Sequence, residues 1–158
     1  MRIYLDANIF IRAMEKLDPV ASRLEALILA EMPRDGMLVT AEFTLSELLV
    51  KPYRDQNAAL ILQYEDLLTE GGLISLFPLT RPVYRLSAQL RASNRGLKLP
   101  DALHLAAAAA AGCSHFLTGD EGIRPSQLEA DGLDDFRDLA ILRPDLATLD
   151  ALLKSLDP

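Results

Sequence analysis

Cysteine occurs once, at Cys113, so no disulfide can form within the chain, and a cytoplasmic setting is the default. A nucleophilic thiol needs a base and an exposed position; following a run of alanines, Cys113 reads instead as a small buried hydrophobe. Histidine occurs twice, at His104 and His115, too rarely for a histidine-rich zinc site. No apolar run reaches the ~18 residues of a membrane span. The first residues enter a strand-like segment with no signal-peptide pattern, so no membrane contact is expected. Internal repeats and low-complexity linkers are also missing, and one domain over residues 1–158 is expected.

Acidic residues are missing from one region in particular. Between Gly71 and Pro100 there is no Asp or Glu, while Arg81, Arg85, Arg91, Arg95 and Lys98 supply five positive charges. From Asp120 onward the balance reverses, with ten acids and four bases, and the whole chain carries a net charge of −7. A net negative protein is a poor polyanion binder on average. A local basic segment leading into an acidic one is nevertheless compatible with a phosphate track beside an acidic pocket. The alternative is a solvated helix face whose bases pair with acids elsewhere.

What is present is an alternation of short apolar runs and amphipathic segments. Half of the residues are apolar, enough for a packed core. Strands are expected at Arg2–Leu5, Met37–Val39, Leu73–Phe77, Ser114–Thr118 and Leu139–Leu142. Helices are expected after Asn8, from about Pro19 to Glu31, after Thr40 as a cap, from about Asp55 to Glu70, from Thr80 to about Gly96, and from Asp145 to Leu156. The turn chemistry of Pro33-Arg34-Asp35-Gly36 separates the second helix from the second strand. Pro52 should close the helix that carries Phe43, Leu45, Leu48 and Leu49, with Glu47 about two turns into it. Gly71-Gly72 should end the next helix, whose apolar positions include Leu60, Leu62, Leu67 and Leu68.

The most informative stretch is Leu99-Pro100-Asp101-Ala102-Leu103-His104-Leu105 followed by six alanines and Gly112. Proline suits a first helical turn, Asp101 suits the positive end of the helix dipole, and alanine has the highest helix propensity. Gly112 then supplies a left-handed stop. Such a thin helix can lie close to a sheet. Strands alternating with helices imply an α/β fold with a mainly parallel sheet covered on both faces.

Within that fold the carboxylates acquire positions. Asp6 ends the first strand, Asp101 opens a helix and Asp120 follows a later strand, all at the carboxyl edge where open α/β sheets bind ligands. Glu47 has the reach to join them. Two charges ~4 Å apart repel by roughly 4 kcal/mol at an effective dielectric of 20, so a cluster of four calls for protonation or a cation. Hard oxygen donors select Mg²⁺ or Mn²⁺, whose chemistry suits phosphodiester hydrolysis. Taken singly, each has a plainer reading: Asp6 and Asp101 as helix caps, Glu47 as a surface glutamate, Asp120 as a turn residue. His104 lies three residues beyond Asp101 on the same helical face and reads as a packed, hydrogen-bonded histidine. His115, within a strand, reads the same way. A phosphatase of the haloacid-dehalogenase kind also places an acid after its first strand. It needs a second Asp two residues on, where this chain has Asn8, and a lysine partner that Lys98 does not convincingly supply.

Four stretches carry a resemblance to a known family: Tyr4-Leu5-Asp6-Ala7-Asn8, Thr44-Leu45-Ser46-Glu47-Leu48, Leu99-Pro100-Asp101-Ala102-Leu103-His104-Leu105-Ala106 and Leu117-Thr118-Gly119-Asp120. In this order and spacing the chain resembles the PIN domain nucleases, particularly the VapC-type toxins of bacterial and archaeal toxin–antitoxin pairs. The resemblance spans residues 1 to about 125 and leaves 126–158 as an unmatched C-terminal strand and helix. It implies a three-layer α/β/α sandwich with a mainly parallel sheet of about five strands. It also implies a Mg²⁺- or Mn²⁺-dependent endoribonuclease with RNA as substrate, a homodimer, and a small antitoxin protein as partner. Asp6, Glu47, Asp101 and Asp120 would be the catalytic, metal-holding acids, with Asn8 and Thr118 orienting them from behind. Arg81, Arg85, Arg91, Arg95 and Lys98 would then be the RNA track. Gly119 departs from the polar residue many relatives carry there. The remaining alternative within the family is a silent PIN-like module that binds RNA or a partner without turnover.

Overall fold

A computed structural model describes residues 1–30 and 37–156. Its strands are β1 (Ile3–Leu5), β2 (Leu38–Ala41), β3 (Ser75–Phe77), β4 (His115–Leu117) and β5 (Ala140–Leu142). They form one sheet in the order β3-β2-β1-β4-β5, and every neighbouring pair is parallel. The helices are α1 (Ala7–Glu15), α2 (Pro19–Leu29), α3 (Thr44–Arg54), α4 (Ala58–Leu67), α5 (Arg81–Ser93), α6 (Leu99–Ala110) and α7 (Leu146–Leu156). Among the described residues no helix is long and apolar enough to cross a membrane.

Strand alternation builds two cores, one on each face of the sheet. Ile3 and Leu5 point into one, with Ile9 and Phe10 of α1, Leu24 and Leu27 of α2, Leu48 of α3, Tyr64 of α4 and Leu149 of α7. Tyr4 points into the other, with Val83 and Leu90 of α5 and Ala102, Leu105 and Ala106 of α6. Each fully buried leucine contributes roughly 1.5–3 kcal/mol. In register, Tyr4 pairs with Phe116 across β1 and β4, and the two rings stack with centroids 5.2 Å apart. The alanines of α6 keep that helix thin against the sheet and α5. Gly112 at φ +67° ends it, with Cys113 N–H bonded to Ala108 O at 3.0 Å and Gly112 N–H to Ala109 O at 2.9 Å.

The layered α/β/α sandwich with a parallel five-stranded sheet is the fold expected, and several boundaries move. Thr40 lies in β2 rather than at a cap. Its hydroxyl donates to Leu5 O at 2.8 Å and sits 2.9 Å from Thr44 Oγ1, so α3 starts only at Thr44. Glu47 therefore stands in the first turn of α3, not two turns in. Pro52 lies inside α3 near its end, where the chain continues to Arg54. The next helix is shorter than expected, because Gln56 at φ +53° breaks the chain and Asn57 Oδ1 caps Leu60 N–H at 3.1 Å. It ends at Leu67, ahead of Gly71-Gly72, and Leu62 on it is exposed rather than inward. Thr80 occupies the cap position of α5 without bonding through its side chain, and α5 stops at Ser93. The turn expected at Pro33–Gly36 lies outside the described residues.

Topology opens a crevice beside β1. From β1 the chain enters α1 on the Leu5 face, whereas from β4 it passes to Ile123, Leu128 and Phe136 in the Tyr4 core. Two adjacent parallel strands whose continuations leave to opposite faces leave a gap at their carboxyl ends.

Candidate active site

Asp6 stands at that gap and is almost fully buried. It caps α1, its Oδ1 accepting from Ala7 N–H at 2.7 Å. Its Oδ2 accepts from Asn8 Nδ2 at 2.5 Å and from Thr118 Oγ1 at 2.6 Å. The Thr118 hydroxyl, having donated to Asp6, accepts from Asn8 Nδ2 at 3.1 Å and Asp120 N–H at 3.0 Å. Asn8 Oδ1 closes the loop by accepting from Gly119 N–H at 2.8 Å. Three of the roughly four lone-pair directions of Asp6 are thus occupied, and its orientation is fixed before any ligand arrives. Asn8 and Thr118, expected to orient acids or waters, both bond to Asp6. At Gly119 a side chain would start 3.3 Å from Asn8 Oδ1, a close approach that favours glycine at this position.

Glu47 is reached through an unexpected path. His104 is buried on α6, its Nε2 lies 2.6 Å from Glu47 Oε2 and 3.6 Å from Asp6 Oδ1, and its Nδ1 lies 2.8 Å from Tyr4 Oη. Tyr4 Oη also accepts from Ala41 N–H at 2.8 Å. Burial pushes the Tyr4 phenol well above its ordinary range, so it keeps its proton. We assign that proton to His104 Nδ1, which leaves Nε2–H to donate to Glu47. Buried, hydrogen-bonded His104 agrees with the packed histidine expected, and one of its partners is a candidate site acid.

Asp101 opens α6, which runs antiparallel to the strands and brings its first turn to the carboxyl edge of the sheet. Burial first, then the charges of Asp120 and Asp6, hold the Asp101 carboxyl above the ordinary carboxylate range. Lys98 and His104 pull weakly the other way. Asp120 has its Oδ1 bonded to Gly122 N–H at 2.7 Å, in a loop pinned from outside by Arg143. Nη1 of Arg143 donates to Thr118 O at 3.1 Å and Asp120 O at 2.7 Å, and Nη2 donates to Ile123 O.

Asp101 thus feels the charges of both Asp120 and Asp6, and Glu47 joins Asp6 through His104. No lysine or arginine forms an ion pair with these acids among the described residues. An all-oxygen, anionic donor set fits a hard cation. No group of three or more acids, histidines or cysteines among the described residues forms a ready-made cage. Mg²⁺ needs none, since it keeps several waters and one or two carboxylates suffice. Arg81, Arg85, Arg91, Arg95 and Lys98 are all exposed on or just after α5. Arg91 Nε donates to Leu97 O at 3.2 Å.

Cys113 is buried and its thiol is pushed up to about 11, mainly by burial, in line with a small hydrophobe. His115 Nδ1 lies 2.8 Å from Ser114 Oγ within the β4 region. Sequence reasoning missed Tyr4 and Arg143. Tyr4 carried a signal as a hydroxyl within an otherwise aliphatic strand. Arg143 carried only its place directly after β5.

The sequence profile of the PIN domain matches residues 3–125. This chain belongs to the PIN domain family. No curated protein matches it in sequence. Among solved structures, FitAcB from Neisseria gonorrhoeae is 20% identical with a TM-score of 0.60, covering 90% of this chain and 97% of that one. VapBC2 from Rickettsia felis, bound to a DNA fragment from their promoter, is 16% identical with a TM-score of 0.62, covering 90% and 98%. A toxin–antitoxin complex from Klebsiella pneumoniae is 17% identical with a TM-score of 0.60, covering 92% and 98%. At these identities the likeness is one of fold. The PIN profile stops ahead of β5, Arg143 and α7, although β5 completes the sheet of this PIN domain.

Proposed function

We propose that this PIN domain is a metal-dependent endoribonuclease and the toxin of a toxin–antitoxin pair, acting in the cytoplasm as a homodimer. One observation carries the reading: Asp6 after β1 and the backbone of Asp120 after the neighbouring β4 are tied to the same Thr118 hydroxyl, and Asp101, raised by burial and then by the charges of Asp120 and Asp6, opens α6 beside them. Family membership supports nuclease chemistry, and the toxin–antitoxin complex from Klebsiella pneumoniae supports the biological setting. Val50 and Tyr53 on α3 and Leu62 on α4 leave apolar surface of the kind a second copy would cover.

Asp6, Glu47, Asp101 and Asp120 would hold Mg²⁺ or Mn²⁺, which when bound supplies Lewis acidity toward the phosphodiester and lowers the pKa of a water. Asn8, Thr118 and Ala7 N–H keep Asp6 aimed into the crevice. His104, fed by Tyr4, holds Glu47 above Asp6. The exposed bases of α5 draw the RNA backbone toward the acids. In-line attack of water on phosphorus, with the 3′ oxygen leaving, yields a 5′-phosphate and a 3′-hydroxyl.

The test is digestion of total RNA with Mg²⁺ or Mn²⁺ and with chelator, read by sequencing the new ends. Asp6→Asn and Asp101→Asn should abolish cleavage in folded protein; full activity in either variant refutes the mechanism. The rival reading is a binding module without turnover. Mn²⁺ binding with no cleavage of any RNA would select that reading over the enzyme.

A further inference from the structure

Two cavities open beside the acidic crevice along α1. One, of about 390 Å³, is lined by Asn8, Ile9, Arg12, Gly119, Asp120 and Pro144. The next, of about 400 Å³, is lined by Asn8, Ile11, Arg12, Lys16 and Asp18. They share Asn8 and Arg12, so they form one trench that starts at Asp120 and runs down the helix. Asn8 and Arg12 lie one turn apart on one face of α1, about 6 Å along the axis, and Lys16 caps the helix four residues further on, its N–H bonded to Arg12 O.

The chemistry changes sign along this trench. At its head the site acids repel a phosphate unless a cation intervenes. One turn away Arg12 presents a guanidinium, and another turn on Lys16 is exposed at the helix end. Arg12 Nη2 is shared with Asp18 Oδ2 at 3.2 Å, while its Nε is buried with no hydrogen-bond partner. The Arg12 guanidinium, which lines both cavities, thus has donor capacity that Asp18 does not use up. The first cavity mixes apolar wall from Ile9, Gly119 and Pro144 with polar groups from Asn8, Arg12 and Asp120, a lining that suits a nucleoside.

We propose that this face of α1 binds the sugar–phosphate backbone of single-stranded RNA next to the cleaved bond, with Arg12 and Lys16 on successive phosphates and one nucleoside in the cavity beside Asp120. The inference rests on the nuclease reading. It adds a second flank to the substrate path, on the sheet face opposite α5.

The experiment compares Lys16→Glu and Arg12→Gln, each in an Asp6→Asn background that does not cut. Binding of a labelled single-stranded oligoribonucleotide is followed by anisotropy with Mg²⁺ over a range of NaCl. Each variant should bind about tenfold more weakly, and the slope of log K against log salt should become shallower by about 0.7 for each phosphate that is no longer neutralised. Lys16→Glu leaves the Arg12–Asp18 pair in place, so it decides the matter if Arg12→Gln loosens the α1–α2 junction. Wild-type affinity and slope in Lys16→Glu overturn the trench. If the parent enzyme neither binds nor cleaves RNA with metal present, the nuclease reading falls and takes the trench with it. If the parent cleaves and Lys16→Glu binds like its own background, the trench alone falls.

Discussion

Replacing Arg143 with alanine removes three hydrogen bonds from one charged donor, to the carbonyls of Thr118, Asp120 and Ile123. Bonds to charged groups contribute roughly 1.5–3 kcal/mol each when the partner is left buried and unpaired. Arg143 is partly exposed, so water can replace some of these bonds, and a net loss of about 2–3 kcal/mol is the better figure. For a domain of this size each kcal/mol moves Tm by about 2–4 °C, which gives a drop of roughly 4–12 °C. The local effect should be larger than the global one. With the carbonyls of Asp120 and Ile123 released, the loop is held less firmly, so the bonds from Asp120 N–H to Thr118 Oγ1 and from Gly122 N–H to Asp120 Oδ1 should open more often and their hydrogen exchange should rise before the sheet opens. Arg143→Lys keeps the charge but not the planar fork, so it should fall between wild type and alanine in both readouts. Cleavage well below Tm should follow the exchange rate of the loop, not the melting temperature. Unchanged Tm and unchanged exchange at residues 119–123 in Arg143→Ala would refute the idea that this side chain organises the site.

Other outcomes follow from the same geometry. Asp101 is held above its ordinary range in the folded protein, so above that pKa the native state carries a penalty that protonation removes. In chelator, wild-type stability should therefore rise as pH falls through the folded pKa toward the unfolded value of about 3.9, and Asp101→Asn should raise the neutral-pH Tm and flatten this part of the profile. Cys113, buried and pushed up to about 11, should resist thiol reagents at pH near 8 in native protein and react only on unfolding; prompt labelling would contradict its burial. Reversing the charge of Arg85 or Arg91 should weaken RNA binding and reduce its salt dependence, and an unchanged slope would return α5 to a solvated face.

Particular residues show what the sequence could and could not reveal. Asp6, Asp101 and Asp120 were readable because each sits at a strand or helix end whose chemistry is local: a cap, a dipole, a turn. Glu47 was readable as a participant but misplaced by a turn, because Thr40 prefers the Leu5 carbonyl across the sheet to the helix it precedes. The Tyr4–His104–Glu47 chain joins residues up to a hundred positions apart, and no spacing rule predicts such a pairing. Leu62, counted among the apolar positions of its helix, is exposed, because it lies two residues from buried Tyr64 and so on the opposite side of α4. Arg143 was invisible for a different reason. Its partners are backbone carbonyls, which leave no trace in side-chain sequence.

The central place of β1 in the sheet has a consequence for synthesis. Asp6 and Glu47 emerge early from the ribosome, yet Asp6 gains its Thr118 anchor only when β4 arrives, and the loop carrying Asp120 is tied down only after Arg143 follows on from β5. A nascent chain, or a product truncated before β4, carries most of the acids and no arrangement for them. On the proposed reading, cleavage therefore begins late: the site would be assembled only when translation is nearly finished.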